Sequence, residues 1–199
     1  MDSLMLTTIT TISVMWLVVG RAAANKTLND AAELIMSTCN CTEHQELCRQ
    51  SLAPYALLIL DKPCHLAYVA VNVTLADAKN VSQYVRGLKA NYTNNHNIAA
   101  ALHDCAENLD GMVAEIQDSL NETRWLFANN SSQGKNNFEF HVSDLETWMS
   151  AALTDDDTCA DELESLDEPL RSYVANGTSR IQSLVSNALA LINSTYYGK

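Results

Sequence analysis

The chain has little of what breaks helices: among 199 residues there are six glycines and three prolines, and aromatic residues make up 7%. That leaves few of the tight turns an all-β fold needs, and no stretch alternates apolar with polar residues as a half-buried strand does. The usual signatures of catalysis are absent too. There is no Glu-x-x-His pair for a di-iron bundle, no H-E-x-x-H, no G-x-S-x-G and no glycine-rich phosphate loop. His103 and Cys105 do not make a nucleophile pair, because residues two apart on a helix point in different directions. Basic residues are also scarce, 12 against 24 acidic ones, for a formal charge of -12. Such a surface repels nucleic acid and anionic membranes and favours a basic protein partner. No enzymatic activity, cofactor or metal site is expected.

What the chain does have begins at its N-terminus. An apolar run from Leu6 to Val19, too short to cross a bilayer, is followed by Arg21 and the small residues Ala22, Ala23 and Ala24, the pattern of a cleavable signal peptide over residues 1–24. Its one departure is Asp2 ahead of the run, where a cation is usual. Removal of this segment leaves 11 basic and 23 acidic residues, so the charge stays at -12. Secretion makes disulfides the default for Cys39, Cys41, Cys48, Cys64, Cys105 and Cys159. Cys39, Cys41, His44 and Cys48 are close enough to be read as zinc ligands, but C-x-C-x2-H-x3-C is not a common zinc spacing.

The apolar residues recur at helical intervals. Leu28, Ala31, Ala32, Leu34 and Ile35, then Leu47, Leu52 and Ala53, predict two short helices broken at Thr42 and Glu43 and ended by Pro54. A first long helix starts at Pro63 with Leu66, Val69, Val73, Tyr84, Val85 and Leu88 on its stripe, and ends between Gly87 and Asn91. A second carries Ile98, Leu102, Leu109, Met112, Ile116 and Leu120. Asn129 to Asn137 reads as a loop. A third carries Val142, Leu145, Met149 and Leu153, and a fourth runs from Pro169 with Val174, Ile181, Leu184 and Ile192, weakened at Gly177. The expected fold is all-α: a disulfide-braced antiparallel four-helix bundle over residues 63–199, with an N-terminal helical hairpin arm over residues 25–62. Of the many Asn-x-Ser/Thr sequons, Asn72, Asn91, Asn129 and Asn130 are the glycosylation candidates. Asn80 falls on the stripe between Val69 and Val73 and is expected to be buried, and Asn40, between two cysteines, to be poorly accessible.

Two segments carry a resemblance: TCNCTEHQELCRQSL over residues 38–52 and TWMSAALTDDDTC over residues 147–159. Together they closely resemble the plant invertase and pectin methylesterase inhibitor family, the second segment being the more specific. The resemblance implies a hairpin clipped by Cys39–Cys48 and a bundle bridged by Cys105–Cys159. It leaves Cys41 and Cys64 over, and these are expected to pair near the hairpin-to-bundle junction. Invertase inhibitors typically carry Pro-Lys-Phe between the second and third bundle helices; here residues 121–142 hold no proline, which favours pectin methylesterase as the target. The resemblance then implies a secreted protein of the cell wall that covers the enzyme's pectin cleft in a 1:1 complex. Glu107, Thr158 and Asp161 would meet the enzyme, with Asp110 standing beside Gly111, where a relative can carry an aspartate. The alternatives are an acid invertase inhibitor and a non-inhibitory wall glycoprotein; against the latter, the chain has no proline-rich tract.

Overall fold

A computed structural model describes residues 27–60, 62–92, 94–129, 135–163, 166, 168 and 170–198. The signal-peptide reading of residues 1–24 and the sequon at Asn130 lie outside them, as does the side chain of Asn129. Helix α1 covers residues 27–39. It is followed by α2 (Gln45–Leu52), a 3-10 turn (Ala53–Tyr55) and α3 (Ala56–Ile59), then by four long helices, α4 (Pro63–Asn91), α5 (His96–Asn129), α6 (Lys135–Glu162) and α7 (Leu170–Tyr197). No strand occurs among the described residues. At a rise of 1.5 Å per residue, each long helix is roughly 40 to 50 Å long.

The four long helices pack in a ring, α4 on α5, α5 on α6, α6 on α7 and α7 on α4. Leu66, Leu102, Leu109, Ile116, Leu145 and Ile181 fill the centre and are almost wholly removed from water. Truncating any one of them to Ala costs about 2 to 5 kcal/mol. The α4–α7 seam is closed by Arg180 Nε on Asp77 at 2.7 Å and by the Tyr84 and Tyr173 rings, 4.1 Å between centroids. Gly177, expected as a weak point in the last helix, is a packing position instead. A Cβ there would stand 3.0 Å from Val81 Cγ2, so the missing side chain lets α7 approach α4. Pro54 does not stop the hairpin either. Proline is tolerated in a first turn, and the chain continues as the 3-10 turn and α3.

The arm lies against α4 and α7. Its tip is fixed by Asn187 of α7, a buried side chain whose Nδ2 donates to His44 O at 2.9 Å and whose Oδ1 accepts from His44 N–H at 3.1 Å. One amide thus pairs with both backbone polar groups of one residue, 143 positions away. At the base, Thr195 Oγ1 donates to Pro63 O at 3.3 Å. Cys39 and Cys48 are bonded to each other across the hairpin, and Cys105 to Cys159 across α5 and α6.

Three expectations are corrected. Cys41 and Cys64 are not joined. Cys41 stands on the exposed turn at the arm's tip, its thiol donating to Thr38 O at 2.8 Å, while Cys64 is in the first turn of α4 near Tyr196. The tip meets α7 at Asn187 and the base meets it at Thr195, eight residues or roughly 12 Å further on, beyond the Cα spacing a disulfide allows. Asn80 is exposed, not buried. Val69 and Val73 are buried on one flank of α4, but further along the helix the buried positions are Ala78, Ser82 and Val85, on another side. Asn40 is exposed too, its Oδ1 accepting from Arg49 at 2.7 Å. Asn72 and Asn91 are both exposed.

Candidate partner-binding face

The segment TWMSAALTDDDTC lies wholly within α6, and its hydroxyl-bearing members fall on one side of it, while Asp155 and Asp156 turn inward. Thr147, Ser150, Thr154, Thr158 and Asp161, at spacings of three and four, are all exposed and line a single stripe. Thr147, Ser150 and Thr158 each donate a hydroxyl hydrogen at 2.8 Å to the carbonyl four residues back. Trp148 is exposed on the edge of this stripe. Only Thr158 and Asp161 of this row were expected from sequence; the other members share their helical interval, which is the signal that would have found them. Asp161 stands in the last turn of α6, where the helix dipole repels a carboxylate, so no local charge draws it inward.

On α5, Glu107 is two residues past Cys105 and therefore about 200° around the helix from the disulfide, on the outer surface. It is not free: Lys89 Nζ donates to His103 Nδ1 at 2.9 Å, and His103 Nε2 stands 3.5 Å from Glu107 Oε1. A partner must displace this weak, exposed contact. Asp110 is turned away from the outer surface into the α4–α5 seam, where Ser82 Oγ donates to its Oδ1 at 2.8 Å and Arg86 pairs with it. Burial works to raise its pKa, but the hydrogen bonds from Arg86 and Ser82 and the Arg86 charge outweigh it and leave the carboxyl below its ordinary value. The structure therefore gives Asp110 an internal role. Gly111, next to it, faces Asp155 of α6.

Among the described residues no group of three or more His, Cys, Asp or Glu is placed to hold a metal ion. The helices α5 and α6, joined by Cys105–Cys159, carry an exposed polar stripe.

The chain belongs to the plant invertase/pectin methylesterase inhibitor family, whose model matches residues 33–191. It is 37% identical to pectinesterase inhibitor 10 of Arabidopsis thaliana over 161 residues, 81% of this chain and 50% of that protein, so it spans about half the relative's length. It is 33% identical to a 21 kDa protein of Daucus carota, over 82% of this chain and 84% of that one. Pectinesterase inhibitor 11 of Arabidopsis thaliana is 32% identical, over 82% and 81%. Among solved structures, a mutant form of a pectin methylesterase inhibitor from Arabidopsis superposes with a TM-score of 0.61 at 19% identity, covering 79% of this chain and 95% of that one. A pectin methylesterase inhibitor from Arabidopsis thaliana gives 0.55 at 17%, covering 81% and 95%. At such identities the likeness establishes the fold, a disulfide-braced helical bundle with an arm. The protein is of the inhibitor type, not an enzyme.

Proposed function

We propose that this protein inhibits a pectin methylesterase by covering its pectin cleft with the outer face of α5 and α6. The observation that carries the reading is the α6 stripe from Thr147 to Asp161, which sets the hydroxyl-bearing residues of the family-like segment in one exposed row. Together with Glu107 it offers a rigid polar and acidic surface pinned by Cys105–Cys159, suited to a groove built for a polysaccharide. Inhibition needs no chemistry: the substrate is excluded by a 1:1 protein complex. The relatives named pectinesterase inhibitors support this target. Secretion into the cell wall after loss of residues 1–24, an arm over 25–62 and a bundle over 63–199 complete the proposal; no helix among the described residues is long and apolar enough to cross a membrane.

The test is to mix the purified, oxidised protein with plant pectin methylesterase and, separately, with acid invertase. Loss of methylesterase activity alone is expected. Loss of invertase activity alone would reassign the target, and loss of neither would make this a wall glycoprotein without inhibitory action.

A further inference from the structure

The antiparallel register of α5 on α6 is marked by four pairs: Cys105 is bonded to Cys159, Gly111 faces Asp155, Ser119 Oγ lies 3.5 Å from Leu145 O, and Glu122 meets His141 at 2.6 Å. Gly111 makes room in this seam for a carboxylate, since a Cβ at that position would overlap Asp155 Oδ2. One turn on, Glu115 projects from the same side of α5, and its Oε2 is buried with no hydrogen-bond partner among the described atoms. We propose that Glu115 and Asp155 form an acid-strengthened clasp between α5 and α6, in which a bound proton lets two carboxyl groups share the seam and its loss sets like charges against each other.

Among the described residues, the surroundings show no cation placed to relieve that repulsion. On α4, Arg86 is committed to Asp110 and Lys79 reaches Gln117 at 3.3 Å. On α5, Glu107 is held by His103 and Asp118 is exposed. On α6, Asp156 adds a further buried acidic residue beside Asp155, while Glu146 faces Tyr197 of α7. Burial raises the Glu115 carboxyl to about 7, with the Asp155 charge adding to the effect, and burial raises Asp155 as well. In the unfolded chain both return to ordinary carboxylate values, so the folded state holds the extra proton between those values and about 7. Stability should therefore rise as pH falls through that window, opposite to the behaviour of a salt-bridged carboxylate. The clasp does not depend on which enzyme the protein binds.

The test uses the full-length secreted protein with its disulfides formed. The Glu115 carboxyl carbon is followed by NMR titration, and melting temperature is recorded from pH 8 to 5 for the parent, Glu115→Gln and Gly111→Ala. The parent should titrate Glu115 near 7. Its melting temperature should rise by about 5 to 10 °C more than that of Glu115→Gln over this range, the linkage expected of a carboxyl moved from 4.5 to about 7 in a domain of this size. Gly111→Ala, which evicts the Asp155 carboxylate, should move the Glu115 midpoint down. A parent Glu115 that titrates near 4.5, or a Glu115→Gln variant with the parent's full pH dependence, overturns the clasp. An unchanged midpoint in Gly111→Ala overturns the part given to Asp155.

Discussion

Replacing Asn187 tests how the arm is held. Its amide makes two hydrogen bonds to the His44 peptide, at 2.9 and 3.1 Å, from a side chain only 3% exposed. Each neutral bond contributes about 0.5 to 1.5 kcal/mol net, and a buried group left without a partner costs about 1 to 3 kcal/mol. His44 is half-open to water, which takes over part of the lost bonding, so Asn187→Ala should weaken arm docking by about 2 to 3 kcal/mol. That corresponds to an arm-opening constant roughly 30 to 150 times larger. Asn187→Asp keeps the shape and the acceptor but points a second oxygen at His44 O, so it should loosen the arm at least as much. Hydrogen exchange reads this directly. Amides of α1 and α2 should lose protection, while those at the centre of α5 and α6 keep theirs. If both variants keep the parent's arm protection, the arm is held by its apolar face, through Ile35, Leu52 and Ile59, and the amide is incidental.

Gly177→Ala should destabilise the parent by about 1 to 2 kcal/mol in denaturant titration, since the Cβ crowds Val81 by more than the helix propensity of Ala returns; in a Val81→Ala background the sign should reverse. Opening Cys105–Cys159 by paired Ala substitutions should cost about 4 kcal/mol on the chain-entropy model against about 3 for Cys39–Cys48, because the sequence separations are 54 and 9. Glu107→Gln and Asp161→Asn should each weaken inhibition roughly two- to five-fold at low salt and less at high salt, as exposed ion pairs are screened; variants that inhibit like the parent at both salts would move the binding surface elsewhere on the bundle. Asp110 contributes stability above the ordinary carboxylate value of 3.8 and loses it as pH falls through its lower folded value, so Arg86→Gln should lessen acid lability below about pH 4. The pair is half-exposed, so the change should stay under about 1 kcal/mol.

The four long helices were legible because burial imposes its own interval. Leu102, Leu109 and Ile116 recur every seven residues, and all three are fully buried. What escaped the sequence depended on pairing between segments. Asn187 interrupts an apolar stripe between Val185 and Ala188, and its partner is a backbone group in the arm, which side-chain patterns do not report. Asn80 was misplaced because the wheel treats a helix as having one buried side throughout, whereas the buried side of α4 is broad up to Leu75 and narrows to Ala78, Ser82 and Val85 beyond it. Asp110 read as an acidic group for a partner, but Arg86 on the neighbouring helix claims it. Gly177 looked like a weak helical position and Gly111 like a place where a relative carries an aspartate; each is a gap that a residue from another helix fills, Val81 in one case and Asp155 in the other.

The hydroxyls of Thr147, Ser150 and Thr158 spend their hydrogens on their own helix, and this fixes the polarity of what α6 shows to the outside. The lone pairs of these three oxygens face outward there, and the carboxylates of Glu107 and Asp161 add more acceptors. Thr154 and the exposed Trp148 indole are the exceptions that can still donate, so the face is richer in acceptors than in donors. A docking surface gains most by bringing donors, whether ammonium, guanidinium or backbone N–H, and one rich in carbonyls or carboxylates would meet lone pair against lone pair over most of the row. Selection of this kind has two parts with different sensitivities. The carboxylate part fades as ions screen it, while the hydroxyl part, being uncharged, keeps its discrimination at any salt concentration.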